Sequence, residues 1–524
     1  MKKRLFAILL CMAMCLPLMC FGVSAADEGT VKEVTTASEF VDAYLELGNS
    51  GNGVILLKKD IDLTSAVLMN SGASTLLPGS ATNNKIIIRG SGTDTKTKLT
   101  VSASMMFNST NGRTIEFDNI NLHSSGSNVA SQIAFNGNKV VFNNNCTFSS
   151  AVNSTDRYMG YVFMGSQGGG SASAHNVTLK SGSFDLVALN ERGNITSSAN
   201  ITMQGSAYVN QFTPGNRNGG KNIGTANVNV WDSVLLGKLY LTYNADRDGS
   251  IYVNYGSNAA GQTLVYLTSQ WNANTINGDI VLQVDNINNN NNNKKILAGA
   301  GTVNGDTVLI LNNGLTTAKF AEINGIESVI SAPSGVYAFA QKNTDGSFAH
   351  QLKVQVKTSA GYDKVVVRNS DGDVVSYSTE KTVSGNNDIY YLDLDETLDS
   401  SYTISCEKSS ETYVRGWQKG NDGQSVRFVA GIDTLSCNGV GFEISANDKT
   451  WGLNPTDITG TVYTSILADG EQVTADSLAS KYLFCAEIGG IPVGTGDVEF
   501  TIKSFKLVNG ERVYSSVATV TIEF

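Results

Sequence analysis

The amino-acid sequence predicts an all-β protein, a right-handed parallel β-helix followed by two small β-sandwich-like modules. Three observations carry this prediction. Short strands with two large apolar residues recur at intervals of 23 to 37 residues over much of the chain. A polar bend and a second apolar segment recur after these strands. Beyond about Leu352 the repeats stop, and hairpin patterns begin.

The repeating strands place their apolar residues at positions i and i+2, which lie on one face of a β-strand. One unit of strand, bend, strand and loop cannot bury that face alone, but stacked coils with parallel pairing can. Stacking also aligns like residues, so we expect Asn and Ser at the bends to form hydrogen-bonded ladders. The predicted inward pairs are Ile86/Ile88, Ile115/Phe117, Val140/Phe142, Val177/Leu179, Ile201/Met203, Val228/Val230, Ile251/Val253, Ile280/Leu282 and Val308/Ile310.

The main alternative fold is a β-sandwich or barrel, in which strands recur about every 8–12 residues. The longer interval in this chain favours the β-helix. A short amphipathic helix is predicted over residues 36–45, ahead of the apolar run at 54–57. Such a helix covers the open end of a solenoid, as terminal units must. We therefore assign residues 26–350 to a β-helix with an N-terminal cap.

The N-terminal segment predicts export. Residues 2–4 are basic and precede an uncharged apolar run that ends at Ala25, the arrangement of a cleaved signal peptide. We expect removal of residues 1–25, a secreted chain that is extracellular or loosely associated with the cell surface, and no transmembrane segment after cleavage. The remaining 34 basic and 47 acidic residues give a net charge of −13. Such a charge disfavours nucleic acid as a partner.

Two neighbouring repeats carry a family resemblance. Residues 177–184 and 201–208 each join a strand to a small polar turn and an aromatic residue, Phe184 or Tyr208. They resemble the pectate-lyase-like superfamily of secreted β-helix proteins, in particular surface proteins of gut Firmicutes that repeat a strand, Gly-Gly-Thr-Phe and Val-Tyr-Gly-Gly. The resemblance covers about residues 38–330 and implies a β-helix at the cell surface.

The last third of the chain predicts two β modules. Residues 365–375 read as two strands around a turn, so residues 351–408 fit a small β-sandwich. Residues 409–524 form a second β domain, which resembles a C-terminal domain common on secreted Firmicutes proteins and implies no chemistry. We expect its Trp417 and Trp451 in the core rather than on sugar rings.

Candidate metal ligands are few. The cysteines beyond the signal segment lack the CxxC spacing of a zinc site. Asp371/Asp373 and Asp393/Asp395 suggest calcium, but turn chemistry and a solvated strand face explain them more simply. We therefore expect no cofactor.

Two functions fit these observations. The first is a non-enzymatic surface protein for adhesion or glycan binding, with the β-helix as a rigid rod. The alternative is a polysaccharide lyase or glycoside hydrolase that acts on an acidic polysaccharide with an atypical site. Glycoside hydrolysis needs two carboxyl groups about 5–9.5 Å apart. Because Glu116, Asp118, Asp185 and Asp232 are scattered and the histidines are isolated, we favour the first function.

One charged feature repeats. Three successive units carry an arginine shortly before a glycine in the loop after the second strand. Stacked in register, these loops would form a guanidinium ladder suited to an acidic glycan or another cell-surface polymer. A simpler interpretation is a glycine turn with each arginine paired to a nearby carboxylate on a solvated edge. The candidate binding residues are Arg192, Arg217, Arg247, Glu191, Asp246 and Asp248.

We predict that Met203→Asp severely destabilises the fold, because an unpaired carboxylate would enter a stacked apolar core. Thermal unfolding followed by circular dichroism measures the effect. A melting temperature within about one or two degrees of the unchanged protein would show instead that Met203 faces solvent.

Overall fold

The structure is a computed structural model in which strands make up 58% of the chain and helices 5%. The predicted signal peptide lies outside the residues that it describes. Those residues are 29–64, 68–70, 73–76, 80–81, 84–92, 96–102, 104–107, 113–125, 132–135, 139–143, 145–150, 161–163, 175–287, 294–360, 362, 364–395, 397–398, 400–407, 412–432, 439–447, 449–453, 483–508, 510–515 and 517–524.

Parallel stacked strands form a β-solenoid of about eight turns. Its longest side, the first sheet, pairs each strand in parallel with the next one along the chain. These strands are Thr30–Val34, Gly53–Leu57, Lys85–Gly90, Thr114–Asp118, Lys139–Phe142, His175–Leu179, Ala199–Met203, Ala226–Val230, Ile251–Tyr255, Ile280–Val284, Thr307–Leu311 and Ser328–Ser331. The stacking predicted from the repeats is therefore confirmed.

The other sides of the solenoid are a long second sheet and two small sheets. The second sheet contains Leu68–Asn70, Ala73–Leu76, Ser104–Phe107, Gln132–Ala134, Tyr161–Phe163, Ser183–Asn190, Tyr208–Asn216, Leu235–Tyr240, Thr263–Tyr266, Lys294–Leu297 and Glu322–Ile323. The N-terminal small sheet contains Ile61–Asp62, Thr97–Val101, Ile120–Ser124 and Thr147–Ser150. The C-terminal small sheet contains Lys221–Ile223, Asp246–Asp248, Thr275–Asn277 and Thr302–Val303.

The inward columns form one apolar core. Eight of the nine predicted pairs, from Ile86/Ile88 to Ile280/Leu282, are buried in it, and Met203 has no exposed surface. Phenylalanine rings from neighbouring coils are in direct contact. The ring centroids lie 5.2 Å apart for Phe107/Phe135, 4.9 Å for Phe117/Phe142 and 5.1 Å for Phe142/Phe184.

The prediction for the ninth pair, Val308/Ile310, was wrong. Leu282 pairs with Leu309, so Leu309 and Leu311 fill the interior instead. Val308 and Ile310 lie on the outer face, where they are nevertheless fully buried. Because four consecutive residues of this strand are apolar, alternation does not reveal which face points inward.

A hairpin against the outer face of the first sheet accounts for burial on that side. It begins with strand Val336–Lys342 and continues into Phe348–Lys357. The Tyr252 hydroxyl donates to the Gly346 carbonyl (3.1 Å), and the ammonium of Lys342 lies 3.8 Å from the centroid of the Tyr252 ring. These contacts hold the hairpin across successive coils.

Asparagine ladders do form, but mainly on the outer faces rather than at the bends. On the first sheet, Asn227 donates to Asn200 (2.9 Å) and Asn200 donates to Asn176 (3.3 Å). At one bend, Asn119 instead donates to the backbone carbonyls of Gly90 and Gly92. In-register stacking therefore satisfies side-chain amides from one coil to the next.

The N-terminal cap is helix α1, Ala37–Ser50, which is longer than the predicted 36–45. Thr36 and Glu39 form a reciprocal capping box at its start, which satisfies free amide groups of the first turn. Phe40, Tyr44 and Leu47 on its inner face join the solenoid core. As expected, the helix covers the apolar end of the stack.

Arg113 joins this cap to the coils and was not identified from the sequence. It is fully buried, and its Nε donates to Asn84 Oδ1 (2.9 Å) while Nη2 donates to the Gly48 carbonyl at the end of α1 (3.0 Å). Its guanidinium also lies 5.7 Å from the ring centroid of Tyr44. Burial raises the pKa of Tyr44 to about 12, and the charge of Arg113 opposes that rise.

The contacts divide the chain into two compact units, residues 1–352 with 394–403, and residues 353–393 with 404–524. The predicted boundaries at 350 and 408 stay predictions. Strand Tyr402–Glu407 begins in the first unit, where Tyr402 pairs in parallel with Ile330.

The second unit contains antiparallel sheets. Trp417 and Trp451 pack against its apolar core, as expected. Its strands are Lys364–Arg368, Val374–Ser378, Thr382–Ser384, Asn387–Asp393, Thr412–Lys419, Val426–Ile432, Val440–Ala446, Lys449–Leu453, Leu483–Ile488, Asp497–Val508, Glu511–Tyr514 and Ala518–Glu523. Two short 3-10 turns, Thr317–Lys319 in the first unit and Thr358–Ala360 in the second, complete the described elements.

We predict that Arg113→Met lowers the free energy of unfolding by about 2–4 kcal/mol, because it leaves the buried Asn84 Oδ1 without a donor and removes one of the two hydrogen bonds to the Gly48 carbonyl. Urea denaturation measures the loss. Arg192→Met is the matched control, since that side chain is 60% exposed. Equal stability of the two variants would contradict the role assigned to Arg113.

Candidate functional site

The predicted arginine ladder is not formed. Arg247 is only 1% exposed and lies inside the corner between the second and C-terminal small sheets. Its guanidinium donates to the backbone carbonyls of Gly224 (2.8 Å) and Pro214. Burial lowers the pKa of Arg247 to about 10. This arginine therefore supports the fold and is not accessible to a ligand.

Arg192 and Arg217 occupy different positions on their coils. Asn218 N donates to Glu191 O, and Gly219 N donates to Asn244 O. In a parallel ladder these bonds align Arg217 with Glu191 on the preceding coil and with Tyr243 on the following coil. Arg192 comes one residue later than Glu191, so it aligns with Asn218 instead.

The three predicted carboxylates have local partners. Glu191 is buried, and its carboxylate lies 3.8 Å from Nε of Arg192. Asp246 accepts from Thr275 N (2.8 Å). Hydrogen bonds from Lys221 and Asn277 hold the pKa of Asp248 below its usual value. The contact between Arg192 and Glu191 matches the interpretation of paired charges, whereas Arg247 bonds to backbone carbonyls and Asp248 pairs with Lys221. Glycan binding by these residues stays a prediction.

The scattered carboxylates considered for catalysis also have structural partners. Burial raises the pKa of Asp185, and its hydrogen bond from Asn210 opposes that rise. The contacts are Glu116 with Lys85 (2.7 Å), Asp118 with Arg89 (2.7 Å), Asp185 with Asn210 (2.7 Å) and Asp232 with Gly205 N (2.9 Å). Within the described ranges, no group of three or more His, Cys, Asp or Glu residues is placed to hold a metal ion.

The histidines likewise take part in structural contacts. His123 Nδ1 lies 2.8 Å from the Ser149 hydroxyl, but that hydroxyl donates to Asn121 Oδ1 (2.9 Å). Its proton is therefore directed away from the imidazole, which does not act as its base. His350 lies between the Asp306 carboxylate (2.9 Å) and a backbone carbonyl (2.8 Å). The side chain of His175 is outside the described residues.

The surface feature that stands out is a cluster of four aromatic rings on the outer face of the second sheet, here called the aromatic platform. It consists of Tyr240, Tyr243, Tyr266 and Trp271. Trp271 is 57% exposed, whereas Trp417 and Trp451 pack against a core. A large aromatic side chain that is exposed in a loop beside a rigid sheet is typical of a binding surface.

The platform is built by coil stacking. Tyr240 and Tyr266 pair in register on neighbouring strands, and their rings stack with centroids 4.9 Å apart and planes 15° apart. Trp271 lies over Tyr240 at 5.4 Å and meets Tyr243 edge to face at 5.5 Å and 63°. The two buried tyrosines thus form the base, while Trp271 and the half-buried Tyr243 form the accessible surface.

A short turn holds Trp271 in place. The buried hydroxyl of Ser269 accepts from the backbone amides of Trp271 and Asn272, both at 3.2 Å. The Asn272 side-chain Nδ2 donates to the Tyr243 carbonyl (3.1 Å), which joins the loops of two successive coils. The Tyr240 hydroxyl donates to Gln270 Oε1 (3.3 Å). The rings are therefore preorganised, which lowers the entropy lost on binding.

The platform suits the flat face of a sugar ring. The C–H groups on that face carry slight positive charge and pack on the negative face of an aromatic ring. Sequence reasoning missed the cluster because its residues lie in loops and on the outer face, outside the inward pairs. The spacing of Tyr240 and Tyr266 matches the coil interval, and that match was the signal available.

Comparison with protein-family models, curated proteins and solved structures finds no match to this chain. Within the part of the chain that the structure describes, no helix is long and apolar enough to cross a membrane.

We predict that Ser269→Ala increases hydrogen exchange of the Trp271 and Asn272 amides about tenfold, since the lost acceptor is worth about 1.4 kcal/mol. Mass spectrometry of peptides from this loop measures the change. Ser233→Ala is the control, because Ser233 bonds to an exposed Asn258 on another side of the coil. Unchanged exchange in Ser269→Ala would contradict the assigned turn.

Proposed function

We propose that this protein is a secreted, cell-surface glycan-binding protein without catalytic activity, and that its aromatic platform is the binding site. The observation that carries the proposal is the exposed indole of Trp271 on a base of stacked tyrosines. Rigid aromatic anchors supply large contact area at low entropic cost.

The proposal extends to the architecture. A right-handed solenoid follows from the strong preference for right-handed crossovers between parallel strands. The likeness of residues 38–330 to the pectate-lyase-like superfamily supports the same hand and a surface location. For the C-terminal antiparallel sheets, we propose two β-sandwich modules that hold or present the rod. Cleavage after Ala25 would release the chain outside the cell.

A polysaccharide lyase or glycoside hydrolase remains the alternative from the sequence, and no described residue favours it. The carboxylates considered for catalysis already bond to neighbouring lysine, arginine, asparagine or backbone groups. Binding requires no such group, because ring stacking and peripheral hydrogen bonds suffice. The platform therefore favours recognition over turnover.

We predict that the purified chain binds at least one polysaccharide and that Trp271→Ala weakens this binding at least about tenfold, since an aromatic anchor carries much of the energy of a small interface. A glycan array followed by affinity electrophoresis measures it. Tyr377→Ala is the control, because Tyr377 is 62% exposed in the second unit. Absence of glycan binding, or equal binding by Trp271→Ala, would overturn the proposal.

A further inference from the structure

We infer that Lys238 gives the aromatic platform a preference for anionic glycans. The glycan that the platform binds then carries a carboxylate or a sulfate beside the stacked sugar. This inference rests on the proposed function and deepens it. It starts from the strand Leu235–Tyr240. Leu239 points into the core, so Lys238 and Tyr240 project together from the outer face.

The spacing fits adjacent sugar residues. Side chains at i and i+2 of a strand are about 7 Å apart, so Lys238 stands roughly one sugar unit from the base of the platform. Its ammonium would therefore meet a substituent of the sugar next to the one on Trp271.

The charges on this face single out Lys238. It pairs in register with Gln211 and Leu264, neither of which is charged. Lys295, the next lysine of the same row, forms an ion pair with Glu322 at 3.1 Å. Among the residues that the structure describes, no hydrogen bond or ion pair is made by the Lys238 ammonium.

The positive charge of Lys238 stands on a protein whose overall charge is negative. The chain as a whole has a net charge of −10, so a polyanion is repelled by most of the surface. Beside Lys238 an anionic glycan finds aromatic contact and attraction together.

The test measures binding of hexuronate oligosaccharides and sulfated oligosaccharides, each compared with its methyl-esterified or desulfated form. We expect Lys238→Gln to weaken binding of the charged form about threefold to fivefold and to leave the uncharged form unchanged. Higher salt should weaken binding by the unchanged protein more than binding by the variant. Lys98→Gln, on the outer face of the N-terminal small sheet, is the matched lysine control and should bind like the unchanged protein.

The outcomes separate this inference from the proposed function. If neutral glycans bind with Trp271 dependence while Lys238→Gln changes nothing, Lys238 has no role and the inference fails alone. If Lys238→Gln weakens binding of the neutral and charged forms equally, Lys238 supports the structure of the site and does not recognise the anionic group, so the inference fails. If no glycan of either kind binds, the proposed function fails and the inference fails with it.

Discussion

The in-register parallel pairing of the first sheet is the constraint on which the rest of the solenoid depends. Val177 pairs with Ile201, and Ile201 pairs with Val228, so each column repeats one position of the coil. Inward columns must then be apolar, because each side chain is covered by its equivalents above and below. The first coil has no equivalent coil on its outer side, so its apolar end needs a cap, which α1 and Arg113 supply.

The same register aligns equivalent side chains on the outer faces, where they form hydrogen bonds and ring stacks from coil to coil. Where asparagine recurs at one position, side-chain amides bond from coil to coil, as from Asn277 to Asp248 and from Asn304 to Asn277. Where tyrosine recurs, as at Tyr240 and Tyr266, two rings stack. The proposed binding surface is therefore a column of equivalent positions, completed by residues from the adjoining loops.

The sequence predicted the stacking well because period-two apolar pairs that recur every 23 to 37 residues follow from it. The exceptions have physical causes. Val308/Ile310 was wrong because both faces of that strand are buried, which removes the alternation. The arginine ladder failed because distance from the strand start does not define position when loops differ in length. Arg247 consequently aligns with Asn222 and not with Arg217.

The candidate site was harder to predict than the fold. Tyr243 and Trp271 lie in loops, and their meeting depends on the Ser269 turn and on the bond from Asn272 to the Tyr243 carbonyl. Neither contact has a sequence period. Disulfide trapping tests the register that assembles the platform most directly. Cysteines at Gln211 and Lys238, which pair in register, should oxidise to a disulfide detectable by mass spectrometry, whereas cysteines at Gln211 and Tyr240 should not. Cross-linking of the second pair in place of the first would contradict the account.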